Sequence, residues 1–261
     1  MKIPILMYHM VRETDDPKEK RYCCHPDAFK QQMAYLKRAG YQVIGLDDLT
    51  NSIKNGTTLP QKSIAITFDD GFDDNYENAF PVLKKYGFPA TVFVVSRLVG
   101  RTNEWMQEEG FPVRKLLGWE ELKDMSENGI TISSHTTTHA SLTDMDTESA
   151  RHEISNSKSE LENALGRAVY FFAYPYGRFN EQVEKLVVEA GYLGACSTRS
   201  GFNSEHANPF ALRRLEIYGT DTLWNFMWKL KFGTNEATLA LPLKYYYSRI
   251  LDRLAPFAPK Q

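Results

Sequence analysis

A (β/α) barrel of about seven strands is the architecture predicted for residues 1–215, followed by a C-terminal helical extension over 216–261. Three observations carry this α/β reading. Short β-branched or apolar runs recur along the chain, amphipathic segments separate them, and most of those segments stop at a glycine. Strand alternating with helix implies a mainly parallel sheet with helices outside. An open doubly wound sheet is the rival, but neither a Gly-x-Gly-x-x-Gly turn nor a Walker-type loop is present to favour it.

Strands are predicted over 3–8, 42–45, 63–68, 91–95, 130–133, 169–173 and 192–197. The first helix, Asp27 to Ala39, places Phe29, Met33 and Leu36 on one face, with Pro26 near its start and Gly40 just after its end. Further helices over 74–86, 119–128, 147–165 and 180–190 run into Gly87, Gly129, Gly166 and Gly191, as left-handed C-caps would. Beyond Leu215 the pattern changes. Trp224, Phe226, Trp228 and Phe232 alternate with Lys229 and Lys231, and Tyr245, Tyr246 and Tyr247 precede a Pro-containing tail. The reading adopted is a last helix that packs its rings on the body; contact with a membrane surface or a partner is the lesser one.

With 261 residues, 42% of them hydrophobic, the chain is long enough for one large core or two small ones and apolar enough to pack either. Its 31 Lys and Arg face 33 Asp and Glu, a balance that exerts no general pull on nucleic acid or anionic lipid, so no nucleic-acid partner is expected. Three cysteines are an odd count, and Cys23 and Cys24 are neighbours, which indicates no disulfide framework. They also lack the spacing of a structural zinc site. Met1 to Met10 carries no cationic start, long apolar run or cleavage site, and no stretch approaches the roughly twenty apolar residues of a membrane span. A cytoplasmic location is the expectation. Aromatics at 13% suit a site that stacks on sugar rings.

Four clusters collect the chemistry. Thr67-Phe68-Asp69-Asp70-Gly71 leaves the strand 63–68, and two adjacent carboxylates at the mouth of a buried strand are costly without a cation nearby. Alone, such a run is equally a turn. His135 and His139 flank three threonines after the strand 130–133. They can converge on one cation, or simply start a polar helix; with one carboxylate they complete an Asp plus two His site with open positions. Tyr174-Pro175-Tyr176-Gly177 forms a tight turn that could aim the Tyr176 N–H into a site, and Tyr8-His9 follows the first strand. All four lie at C-terminal ends of predicted parallel strands, the face on which barrels assemble active sites.

These ordered motifs over residues 1–215 resemble the polysaccharide deacetylases of carbohydrate esterase family 4, the NodB-homology group. The resemblance implies a distorted (β/α) barrel, a divalent metal, most often zinc, held by Asp70, His135 and His139, and Asp69 as general base. Many members carry an Arg shortly before the third motif to orient the base; here Phe171 and Phe172 stand there. Many also carry a Leu-x-His motif that supplies the general acid, and none follows Tyr192. Ile5-Leu6-Met7-Tyr8-His9 looks like the subset similar to poly-N-acetylglucosamine deacetylases, in which a Tyr-His pair on the first strand takes that role, so the acid falls to His9. Acetate and a glucosamine unit are the products implied, and an N-acetylated oligo- or polysaccharide is the partner. Trp119 and Tyr174 are candidates to stack on a sugar face, with packing in the core or rim as the other reading, and Leu142 is a candidate to line the acetyl pocket. Ester or cyclic-amide hydrolysis on the same scaffold, or carbohydrate binding without catalysis, are the rival functions.

Overall fold

The computed structural model describes residues 1–236. In chain order these form β1 (Ile5–Tyr8), α1 (Pro26–Arg38), β2 (Gln42–Val43), α2 (Leu46–Asn55), β3 (Ser63–Phe68), a π turn (Asn75–Ala79) leading into α3 (Phe80–Tyr86), β4 (Ala90–Val94), α4 (Trp119–Glu127) and β5 (Ile130–Ser134). Then follow α5 (Thr147–Leu165), β6 (Phe171–Ala173), α6 (Glu181–Glu189), β7 (Gly194–Cys196), β8 (Leu215–Glu216) and α7 (Leu223–Phe232).

The strands lie parallel in the order β7-β6-β5-β4-β3-β1-β8, with β2 attached to β3. Segment 209–216 joins the two edges. Ala195 donates to the Pro209 carbonyl at 2.8 Å, Cys196 bridges in parallel to Leu212, and Leu215 pairs with Leu6 of β1. The sheet thus curls into a distorted barrel, as expected.

Strand residues alternate between two apolar layers. Leu6, Ile66, Val92, Ile132 and Phe172 face outward and pack with Phe29 and Met33 of α1, Leu122 of α4, Ile154 of α5 and Val187 of α6. Ile5, Ala65, Phe93, Ala173 and Cys196 fill the barrel interior, where Leu46 and Leu49 of α2 join them. Further along the same inward rows stand the polar residues of the site.

The seven predicted strands are present with ends shifted by at most two residues, whereas α2 and β8 lie outside the expected elements. α2 starts on Gly45, whose amide donates to the Asp48 carboxylate at 3.1 Å. The helix expected over 74–86 opens as a π turn; Pro81 has no N–H to return to the preceding turn, so the regular ladder begins only with α3. α7 starts on a Thr222 cap and sends Phe226 and Leu230 into the main core, while Trp224 stays 70% exposed. Tyr245, Tyr246 and Tyr247 lie outside the described residues. No described helix is long and apolar enough to cross a membrane.

Two irregular stretches, 9–25 and 95–118, rise beside the C-terminal strand ends. Glu19, 1% exposed, receives both fork nitrogens of Arg114 at 2.7 Å and ties one stretch to the other.

Candidate active site

The four sequence clusters meet. His9, Asp69, Asp70, His135, His139, Tyr174 and Tyr176 line one cavity of about 350 Å³ at the C-terminal ends of the strands. Register explains the convergence: Tyr8 pairs with Phe68 across β1 and β3, so His9 and Asp69 leave the sheet side by side. His135 follows β5 in the same way, its amide held by the Val94 carbonyl of β4 at 2.9 Å.

Asp70, His135 and His139 are buried, and their ligand atoms lie within 4.8 Å of one another. Nε2 of His135 stands 3.4 Å and Nε2 of His139 3.3 Å from the same Asp70 oxygen. A tetrahedral ion with bonds of about 2.0–2.1 Å sets its ligands about 3.3–3.4 Å apart, so this spacing suits a shared zinc-like cation better than short charge-assisted hydrogen bonds. Tautomer chemistry agrees. Nδ1 of His135 bonds the Ala173 carbonyl at 2.8 Å and therefore carries the proton, which leaves Nε2 facing the carboxylate with either a second proton or a lone pair. A cation satisfies all three groups together. Burial alone would raise the Asp70 carboxyl, but the facing His135 and His139 rings hold it well below the usual carboxylate range. Burial lowers both imidazoles. In His139 that effect prevails, whereas the Asp70 bond and the Asp69 and Asp70 charges lift His135 above its ordinary value.

Asp69 points into the same cavity, and its partner is the principal residue that sequence reasoning missed. Arg214, fully buried, meets Asp69 with both fork nitrogens at 2.6 and 2.7 Å and bonds the Ser197 carbonyl at 2.9 Å through Nε. A guanidinium from the closing segment thus holds Asp69, in a chain with no Arg shortly before Tyr174. Burial would push the Asp69 carboxyl up, but the Arg214 charge, then that of His135, brings it below its usual value.

Replacing Arg214 with Met strands a buried carboxylate and is expected to cost about 3–5 kcal/mol near neutral pH. The sign of its pH dependence follows from Asp69. In the wild type its depressed folded pKa contributes stability above the unfolded value of about 3.9, lost as pH falls through the folded one. In the variant, burial raises that pKa, so the deficit shrinks as acid protonates the group. Urea unfolding at about pH 7 and about pH 4 measures both, and equal deficits would show that the pair acts without its charge.

Other expectations are corrected. Trp119 sits at the first position of α4 against the main core and does not line the cavity. Trp105, from the irregular stretch before α4, lines it instead and stacks on His139 at 4.6 Å. Leu142 is 1% exposed in the main core, away from the cavity lining. Tyr174 reaches the lining but cannot present a stacking face: it is 0% exposed, stacks on Phe179 at 4.4 Å and donates its hydroxyl to the Phe210 carbonyl. The half-exposed ring is Tyr176, edge-on to His139 at 4.7 Å. Buried Pro175 shapes the turn, and Gly177 completes it at φ 67°, where a Cβ would lie 1.9 Å from the Thr198 hydroxyl. Tyr22 and Phe111 add further aromatic wall.

His9 is fixed through its backbone. Its carbonyl accepts Asn75 Nδ2 at 2.8 Å, Val11 N–H donates to Asp74 at 2.7 Å, and the Val11 carbonyl accepts Asn78 at 2.8 Å. The π turn and the residue before it therefore grip the segment that follows β1. Strain concentrates here as well. Of the five described non-glycine residues with positive φ, Asp70, Thr136, His139 and Tyr176 belong to the site. Such conformations persist where the surroundings over-determine them.

A profile of the family described as polysaccharide deacetylase matches residues 56–195, more than half of the chain. The poly-β-1,6-N-acetyl-D-glucosamine N-deacetylase of Staphylococcus epidermidis is 30% identical over 213 residues, covering 71% of this chain and 68% of that protein. Among solved structures, the Streptococcus pyogenes deacetylase PplD in complex with acetate has a TM-score of 0.76 at 27% identity, covering 88% of this chain and 98% of that one. IcaB from Ammonifex degensii has a TM-score of 0.73 at 25% identity, covering 83% and 91%. The barrel, the converging Asp and His groups and these likenesses together establish that the chain belongs to the polysaccharide deacetylase family, metal-dependent hydrolases that act on N-acetylated polysaccharides.

Proposed function

We propose that the protein releases acetate from N-acetylglucosamine units of an exopolysaccharide, with Asp69 as general base, His9 as general acid and zinc held by Asp70, His135 and His139. The observation that carries this reading is the pairing of two differently placed carboxylates. Asp70 faces the imidazoles, while Asp69 is held apart as an anion by Arg214. The poly-β-1,6-N-acetylglucosamine activity named for the Staphylococcus relative supports the choice of polymer.

When bound, the cation supplies Lewis acidity, polarising the acetyl carbonyl and acidifying water near neutral pH. Asp69 takes the proton from the attacking water. Arg214 keeps that carboxylate oriented and limits its basicity. In this reading the Tyr176 N–H stabilises the oxygen on which charge develops, a contribution that grows toward the transition state. His9 then gives a proton to the departing amine, which leaves poorly without one.

Acetate release from N-acetylglucosamine oligomers, compared with acetylated xylan fragments, tests the substrate class; faster release from the ester would overturn it. His9→Ala should leave zinc content unchanged and slow amide cleavage by roughly a hundredfold or more, with less than about tenfold loss on an activated ester whose leaving group needs no proton. Equal losses on both substrates would remove His9 from the acid role.

A further inference from the structure

We infer that Glu153 is a positioning residue for the metal-binding pair: from α5 its carboxylate ties down the turn between His135 and His139 and so sets the spacing of the two imidazoles. The inference rests on the metal reading above and extends it to a side chain that touches neither cation nor substrate.

The two imidazoles are oriented by different means. His135 is locked through Nδ1 by the Ala173 carbonyl. Nδ1 of His139 has no hydrogen-bond partner, so its ring is aimed by the backbone beneath it and by the flanking Trp105 and Tyr176 rings. That backbone is strained. Thr136 has φ 68° and His139 φ 65°, and for a β-branched residue this is an outlier that relaxes unless held.

Glu153 does the holding. One carboxylate oxygen accepts the Thr137 and Thr138 N–H groups, both at 2.9 Å, and the other accepts the Thr138 hydroxyl at 2.9 Å. The Glu153 carbonyl accepts the Thr137 hydroxyl at 3.1 Å. On the far side Ser96 and Arg97 donate to the Thr136 and Thr137 carbonyls at 3.1 Å, and within the turn His139 N–H bonds Thr136 Oγ1 at 2.9 Å. Ser96 and Arg97 restrain carbonyls; the two consecutive N–H groups between the histidines are met by Glu153. Removing its carboxylate leaves those N–H groups unpaired, lets Thr136 relax and swings His139 away from Asp70.

The test is zinc affinity of the full chain, measured by titrating chelator-treated protein with zinc chloride against a chromophoric chelator. Glu153→Ala is expected to weaken zinc binding by about 10- to 100-fold, the usual cost of losing a group that orients a ligand. Glu153→Gln, whose amide oxygen can still accept both N–H groups, should stay within about threefold of wild type. A merely structural glutamate would lower the melting temperature of the zinc-free and zinc-loaded protein alike and leave affinity unchanged. If Glu153→Ala fails to fold, Glu153→Asp, one methylene shorter, should fold and bind zinc roughly three- to tenfold more weakly. Wild-type affinity in a folded Glu153→Ala or Glu153→Asp variant overturns the inference alone. Failure of the wild type to bind zinc overturns the metal reading and this inference with it.

Discussion

Asp69→Asn should retain zinc and lose turnover by roughly two to four orders of magnitude, the loss expected when a general base is neutralised. The amide keeps the shape of the carboxylate but cannot take the proton from water. It also disturbs Arg214, because an Asn offers one acceptor where the guanidinium now meets two carboxylate oxygens at 2.6 and 2.7 Å. Instability could therefore imitate a catalytic defect, and the double variant Asp69→Asn with Arg214→Met separates the two. With the buried cation gone, it should regain much of the stability lost in Asp69→Asn without regaining turnover. Zinc content, urea unfolding and acetate release on each protein supply the comparison. Near-normal turnover in zinc-loaded Asp69→Asn would refute the assignment of the base.

Asp70→Ala is the second large effect, and its signature differs: zinc and turnover should disappear together. Asp70 contributes the oxygen that both imidazoles face, at 3.4 and 3.3 Å, and the only carboxylate of the three-residue set. Losing one of three protein ligands leaves two neutral imidazoles, too few to hold the ion against dilute chelator. Asp70 also sits at φ 72°, so an alanine there carries about 1–2 kcal/mol of backbone strain, and circular dichroism must first establish a folded protein. Full zinc occupancy in folded Asp70→Ala would place the ion elsewhere. Taken with Asp69→Asn, the contrast separates a neighbour that works on water from one that holds the metal.

Much of this site was legible before any coordinates. Asp69, Asp70, His135, His139 and His9 each follow a strand of recognisable β-branched pattern, and parallel strands bring such exits to one face. Arg214 was not legible for a physical reason. β8 is two residues long, too short for a periodic signal; Glu216 turns toward the cavity and Arg214, just before the strand, toward Asp69, while Leu215 goes to the outer core. Polar-in and apolar-out reads from sequence as a surface strand. Trp105 escaped because 95–118 has no period at all, whereas Trp119 attracted notice by standing at a helix start. In Tyr174-Pro175-Tyr176-Gly177 the composition is symmetrical, and only the positive φ of Tyr176 decides which tyrosine faces out. α2 went unseen because Gly45 supplies no capping side chain, the helix being announced only by Asp48 reaching back to its amide.

Asp69 and Arg214 are 145 positions apart, and the segment carrying the arginine also zips β7 to β1. A nascent chain that has left the ribosome only as far as Cys196 already contains both aspartates and all three cavity histidines, yet it lacks the guanidinium that holds Asp69 in place. With Asp69 as the proposed base, deacetylation needs the ring shut, a closure that depends on contacts remote in sequence. A single cut between Ser197 and Leu212 that let the closing segment drift would silence the enzyme while leaving every family motif intact.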